Sequence, residues 1–386
     1  MDMNSKYQLT EVVAPRYRKA GRKEKQQILN EYCANTGYDR KYAIKKLKRA
    51  FFYPQHTRKK KKTTPSKYRL ITTLIKDYWR VLDYPSATRL HSRIPELMEK
   101  SIIYQELPCC TEQKTLLQTI SSASIERVLR TERRIRRKGL NSQTKPGTLM
   151  NSIPYACDLA KRIEAGYLEL DLVVHCGETA MGEYLNTLNT TDFATGWFEA
   201  EAIMGKSQRV VDAALHQIAA RLPFPLKGID SDNGTEFING TVERFTQTMK
   251  IEFTRSRPYK KNDNAHIEQK NWVHVRKVIG YMRLESSELQ TALNKLYRND
   301  LRLYINFFQP SQKLISKERI GSKIRKRYDA PQTPYERVLK EATVASERKE
   351  QLRELYATLN PFALKRSIDK QLHKISVLIQ NQRKAA

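Results

Sequence analysis

The sequence is poor in the features that mark secreted and membrane proteins. Its five cysteines, Cys33, Cys109, Cys110, Cys157 and Cys176, form no CxxC pair and no even framework, which argues against a disulfide-stapled scaffold and for a reducing interior. No apolar run reaches the roughly 18–20 residues of a membrane span, and the N-terminal MDMNSKYQLT lacks the apolar core of a signal peptide. The expectation is a soluble, intracellular protein. Acid is scarce as well: 41 Asp and Glu stand against 71 Lys and Arg, a formal net charge of +30. So cationic a chain suits a polyanionic partner, nucleic acid first, because neutralising phosphates releases counterions. A structural or ribosomal role would give the same bulk charge. With 39% hydrophobic residues the chain can bury a core, which excludes a wholly disordered basic tail, and 386 residues suggest two to four domains.

The cations are not spread evenly. Residues 165–205 contain no Lys or Arg at all, and residues 165–281 carry 15 acidic against 13 basic side chains. A break of that size marks a domain with a different role. The basic flanks would hold a polyanion, and the near-neutral centre would act on it.

Five regions are expected. Residues 1–64 hold a helix-turn-helix-like pair at 22–50, in which Ile28, Leu29 and Tyr32 line one helix. Ala43, Ile44 and Leu47 line the next among Arg40, Lys41 and Lys45. A basic linker follows, with five consecutive cations from Arg58 to Lys62. Residues 65–140 read as a second all-helical, helix-turn-helix-like region. Its last helix has Ser122 or Ser124 as N-cap, an Ile125, Val128 and Leu129 stripe, and arginines such as Arg127 and Arg130 around it. Residues 141–164 are a linker. Residues 165–285 change to strand-type patterning, in the order β-β-β-α-β-α-β-α, a mixed α/β sheet with helices on it. Residues 286–386 are basic and largely helical, with a turn-rich stretch at 311–334.

Most acids of the centre have bland readings; Glu178, Glu183, Glu199 and Glu201 suit solvated strand faces or turn ends. Three fit that reading less well. Asp171 interrupts the apolar strand LELDLVV, where an unpaired charge is costly. Asp232, in GIDSDNGTEF, falls at the carboxyl end of the fourth strand, where open α/β sheets bind ligands. Glu268, in NDNAHIEQKNW, lies one turn into a helix. Converging carboxylates repel unless a cation lies between them, and hard oxygen donors select Mg²⁺ or Mn²⁺. Asp230 and, less strongly, Glu236 are alternatives to Asp232.

The constellation resembles the catalytic core of retroviral-type integrases and the related DDE transposases of bacterial insertion sequences. It does so through Asp171, Asp232 and Glu268, with 35 residues between the last two and Asn271 three beyond the Glu. The resemblance covers residues 165–285. It implies an RNase H-like fold with a five-stranded mixed sheet, and Asp171, Asp232 and Glu268 as metal ligands for two Mg²⁺ or Mn²⁺ ions. It further implies cleavage at transposon ends and 3′-OH strand transfer into target DNA. The implied partners are double-stranded DNA and at least a second copy of the chain, in a nucleoid-associated setting in a bacterial cytoplasm. The HxxxH…CxxC zinc domain of retroviral integrases is absent from the sequence, which favours the transposase branch. Arg255, Arg257, Lys260 and Lys261 before the Glu268 helix, and Lys270, Asn271 and Arg276 on it, are candidate DNA contacts. So are Arg40, Lys41, Lys45, Arg127 and Arg130. His175, Cys176, His266 and His274 match no standard zinc spacing.

Overall fold

The computed structural model describes residues 1–52, 67–137, 164–179, 181–231, 236–255, 275–320 and 323–385. The cations at 58–62, the linker at 141–164 apart from its last residue, Asp232, Arg257, Lys260, Lys261, His266, Glu268, Lys270, Asn271 and His274 lie outside the described residues. The chain divides into two compact units, Met1–Arg69 and Leu70–Ala386.

The first unit has three described helices, α1 (Met3–Lys19), α2 (Arg22–Thr36) and α3 (Arg40–Phe52). Sequence patterning yields α2 and α3 but not α1. That helix fully buries only Thr10 and Ala14 and carries Pro15 within it, so its apolar stripe is faint. It starts where the Asp2 carboxylate accepts the Ser5 N–H at 2.7 Å. The three helices meet on Ala14, Leu29, Tyr32, Ala43 and Leu47. The Tyr32 hydroxyl is satisfied inside this core by Thr10 Oγ1, 2.6 Å away. Gly37, at φ 68°, ends α2 in the left-handed conformation that glycine adopts without strain.

The second unit is built on a five-stranded sheet in the order β3-β2-β1-β4-β5. The strands are β1 (Tyr167–Val174), β2 (Leu185–Asp192), β3 (Phe198–Met204), β4 (Gly228–Ser231) and β5 (Glu252–Arg255). β1, β2 and β3 form an antiparallel meander, while β4 runs parallel to β1 and β5 parallel to β4. Two helices make the parallel crossings: α8 (Gln208–Arg221) leads from β3 to β4, and α9 (Glu236–Met249) from β4 to β5. The side of α8 that is buried carries Val211, Ala214, Leu215 and Ile218. This mixed sheet fits the RNase H-like core expected from the sequence. β1 lies at its centre and is mostly buried, in keeping with its largely apolar run. Gly166 lets the chain enter β1 tightly: at φ +117° a Cβ there would fall 2.5 Å from the Pro225 carbonyl oxygen.

Four described α-helices precede the sheet in this unit: α4 (Thr72–Val81), α5 (Ala87–Ile103), α6 (Thr111–Thr119) and α7 (Ser122–Arg137). Sequence patterning does not yield α6. The cap of α7 is Ser121 rather than Ser122 or Ser124, since its Oγ accepts the Ser124 N–H at 3.3 Å. After the sheet come α10 (Ser287–Leu296), a π turn (Tyr297–Leu301) and α11 (Arg302–Phe308). A hairpin of β6 (Leu314–Ile320) and β7 (Lys323–Tyr328) follows, then α12 (Pro334–Lys340), α13 (Ser346–Thr358) and α14 (Pro361–Ala385). The hairpin occupies the stretch expected to be merely turn-rich.

This C-terminal region shares one core with the sheet. Leu289, Leu293, Leu296 and Tyr297 pack with Leu185, Phe198 and Ala200 on one side and with Ile368, Ile375 and Ile379 on the other. The early helices join it through Arg93–Glu336 at 2.7 Å, and through Lys100 Nζ donating to the Tyr356 carbonyl at 2.8 Å.

β3 is the sheet's edge, and its exposed backbone is occupied by amide side chains. Asn306 donates to the Phe198 carbonyl and accepts its N–H, at 2.9 and 2.8 Å. Asn294 does the same for Ala202, at 2.9 and 2.7 Å. An unbroken α-helix would set these two asparagines about 120° out of phase. The wider π turn between them takes up roughly one residue and returns both to the same face. Two imitation strand pairings thus close an edge that would otherwise recruit another chain.

Glu199 and Glu201 correct a sequence expectation. They are not solvated: Glu199 is 0% exposed. Its carboxylate takes Arg221 at 2.9 Å, Arg302 at 2.5 Å and the Trp197 indole N–H at 3.0 Å. Glu201, also buried, binds Arg221 and takes a two-pronged grip from Arg298. The charges survive burial because each carboxylate is paired and hydrogen-bonded.

Candidate active site

In the parallel register, Tyr167, Leu168, Glu169 and Leu170 of β1 lie beside Gly228, Ile229, Asp230 and Ser231 of β4. On the other side Glu169 faces Thr191 and Asp171 faces Asn189 of β2. Residues paired across strands share a face of the sheet, and alternate residues along a strand do too. One face of the sheet's centre is therefore polar, with Glu169 and Asp171 on β1, Asp230 on β4, Thr254 on β5, and Asn189 and Thr191 on β2.

The carboxylates on this face differ in access. Glu169 is 4% exposed and Asp230 5%. Asp230 accepts the Thr254 hydroxyl at 2.6 Å, a strand-to-strand tie. Asp171 is only half-buried. Its Oδ1 accepts the N–H of Leu172 at 2.7 Å, fixing the carboxylate against its own strand. Of the three, Asp171 is the one a solvent-borne ligand reaches.

The described part of β4 ends at Ser231, opposite Leu170 and one residue before the level of Asp171. Ser231 is paired in turn with Arg255, the last residue of β5. Asp232 follows Ser231 by a single peptide bond; it and Glu268 lie outside the described residues. Among the described residues, no three His, Cys, Asp or Glu side chains converge on one point. An accessible carboxylate tied to a backbone N–H suits a hard divalent cation in its donor chemistry. Glu169 escapes sequence reading as a member of this face, although the alternation in LELDL carries the signal.

The remaining candidates are placed as follows. Arg276 donates to the Val174 carbonyl at the end of β1, at 2.8 Å, and its guanidinium lies 4.8 Å from the Tyr281 ring centroid. Lys41 and Lys45 are exposed on α3, and Arg40 donates to Asn30 Oδ1 at 2.5 Å. Their neighbour Lys46 is instead drawn onto aromatic rings, donating to the Tyr38 hydroxyl at 2.8 Å. Arg127 and Arg130 are exposed on α7.

His175 is a structural group. It is fully buried, with Nε2 2.8 Å from Thr187 Oγ1, which is in turn 3.0 Å from the Tyr297 hydroxyl. Burial, with the nearby Arg276 charge as a lesser cause, pushes its pKa down to about 3. The folded protein thus holds it neutral, whereas the unfolded chain protonates it below about pH 6.5. Between about pH 6.5 and 3 the unfolded state binds the extra proton, so stability falls with falling pH. Chemical denaturation of the wild type and His175→Gln is expected to show the wild type losing about 1.4 kcal/mol more per pH unit below pH 6. Parallel pH profiles would place the imidazole in solvent.

No family model matches the chain. It is 36% identical over 340 residues to "Uncharacterized protein y4rM" of Sinorhizobium fredii (strain NBRC 101917 / NGR234), an alignment covering 87% of this chain and 96% of the relative. Among solved structures, the catalytic core domain of BIV integrase matches 48% of this chain and 98% of its own length, at 17% identity and a TM-score of 0.27. Among the described residues no helix is long and apolar enough to cross a membrane.

Proposed function

The chain belongs to the same family as protein y4rM of Sinorhizobium fredii, and for it we propose the activity of a DDE-type transposase. It would cut at the ends of a mobile DNA element and join the freed 3′-OH ends to target DNA, with Asp171, Asp232 and Glu268 as the catalytic carboxylates. The observation that carries this reading is the register of β1 and β4. It sets an accessible Asp171 beside the strand end from which Asp232 follows, with Glu268 at the D,D(35)E interval beyond.

The three carboxylates would hold Mg²⁺ or Mn²⁺, the ion supplying Lewis-acid stabilisation of charge on the scissile phosphate and a more acidic attacking water or 3′-OH. The chain's own part is positional. The Leu172 N–H orients the Asp171 carboxylate, and buried Asp230 ties β4 to β5 through Thr254. Arg276 braces the carboxyl end of β1.

α2 and α3 would act as a helix-turn-helix on the terminal inverted repeats, with Arg40, Lys41 and Lys45 at the DNA. Arg127 and Arg130 of α7 would add contacts, as would Arg255, Arg257, Lys260, Lys261, Lys270 and Asn271 near the site. The formal charge of +30 supports such binding. Joining two ends at once calls for at least a dimer. An RNase H-like nuclease, or a DNA-binding regulator derived from an inactive transposase, would share the sheet.

The test is an assay with Mg²⁺, a donor duplex ending in 3′-OH or 3′-H, and a target plasmid. Joined product from the 3′-OH donor alone is the expected result. Cleavage of RNA–DNA hybrids with no joining would favour the nuclease, and binding with neither reaction the regulator.

A further inference from the structure

We propose that the β6–β7 hairpin is a separate contact for duplex DNA, a basic two-stranded ribbon mounted on the sheet away from the candidate active site. The proposal rests on the DNA-joining reading only for the identity of the polyanion.

The base of the hairpin is rigid. Lys313, just before β6, is partly buried and donates through Nζ to the carbonyls of Phe193 (2.9 Å) and Ala194, in the turn between β2 and β3. The Lys313 N–H donates to the Asp329 carboxylate at 2.6 Å, and Arg337 holds the other oxygen of Asp329 at 2.8 Å. Both ends of the ribbon are thereby pinned to one turn of the sheet.

Beyond that base the ribbon is open. Lys326, Arg325 and Arg327 of β7 and Arg319 of β6 are exposed, as are the apolar Ile315 (62%) and Tyr328 (47%). Neither strand packs extensively on another described element. A lone two-stranded ribbon is at best marginally stable in water. This one also sets Lys317 directly opposite Lys326, a like-charge pairing that weakens a hairpin. Glu318, opposite Arg325, is the lone acidic residue in the two strands; every other charge there is cationic. A polyanion laid along the ribbon would meet the exposed Arg325, Lys326 and Arg327, and the major groove of B-DNA, about 12 Å wide, admits a two-stranded ribbon.

The base of the ribbon is anchored at the opposite end of β1 from Asp171. The β2–β3 turn lies where β1 begins, since the Phe193 N–H donates to the Tyr167 carbonyl. Asp171 is four residues further along β1, about 13 Å at the strand's rise. The ribbon would grip DNA flanking the site.

The experiment is a titration of the full-length chain, carrying Asp171→Asn so that nothing is cut, against a fluorescent duplex at about 50–200 mM salt. Replacing Arg325, Lys326 and Arg327 by Gln is expected to weaken binding at least about tenfold. It should also lower the slope of log K against log salt by about 2–3, near 0.9 for each phosphate no longer neutralised. A control that neutralises the exposed Arg353, Lys370 and Lys374 should change both far less, and thermal melts should match the parent. Equal losses in the control, an unchanged slope in the ribbon variant, or single-stranded RNA displacing the duplex more strongly than duplex itself would each overturn the proposal. Because binding is read without catalysis, a failure of the transposase chemistry would leave this result standing.

Discussion

Asp171→Asn is expected to abolish 3′-OH joining, by roughly 10³-fold or more, while changing duplex affinity by less than about twofold. The substitution is nearly isosteric. Its side-chain oxygen can still accept the Leu172 N–H, so β1 keeps its local geometry. What it loses is the negative charge that a divalent ion requires, and that ion's stabilisation of the transition state is worth several kcal/mol, at about 1.4 kcal/mol per factor of ten. Asp230→Asn is the informative companion. Asp230 is buried and already accepts Thr254, so the amide should retain the strand tie and most of the joining activity. If Asp230→Asn eliminated joining and Asp171→Asn left it intact, the assignment along β1 and β4 would be reversed.

Glu199→Ala is expected to cost about 3–5 kcal/mol of folding stability, the usual result of breaking a buried ion pair by removing one partner. The carboxylate is wholly buried, and its loss takes from the largely buried Arg302 the carboxylate it binds and leaves Arg221 with Glu201 alone. Trp197 loses its acceptor as well. The damage would spread, because these residues bind the edge strand β3 to α8 and to α11. Urea denaturation reads the effect directly, and Glu199→Gln, which keeps an acceptor for the indole, should lose less. Well below the melting temperature, joining per folded molecule should be unchanged. A Glu199→Ala variant as stable as the parent would show that the cluster contributes little to folding.

How far the sequence reveals this molecule depends on how local each signal is. β1 is legible from its apolar run, within which Asp171 is conspicuous, while Glu169 passes unnoticed although it shares the Asp171 face. α8 and the helices after the sheet are legible from their three-and-four spacing. α1 is not, since a helix that fully buries one alanine and one threonine leaves hardly any stripe. Glu199 and Glu201 mislead for a different reason. The alternation in FEAEAIM matches a strand with one wet face, and nothing local announces Arg221, Arg298 and Arg302, which arrive from distant helices. The β6–β7 ribbon lacks the alternation of a half-buried strand because neither of its faces is buried. For the candidate site, the 35-residue interval is a property of the sequence alone. What the sheet adds is the neighbourhood of Asp171: the strand end beside it, and the buried Asp230 behind.

The most direct measurement is strand transfer by Asp171→Cys, compared in Mg²⁺ and in Mn²⁺. A thiolate is a poor ligand for Mg²⁺ and a better one for Mn²⁺. If Asp171 holds the ion, joining should be lost in Mg²⁺ and recovered in part when Mn²⁺ replaces it. Joining at the wild-type rate in Mg²⁺ would contradict the account, because the carboxylate at its centre would then be dispensable.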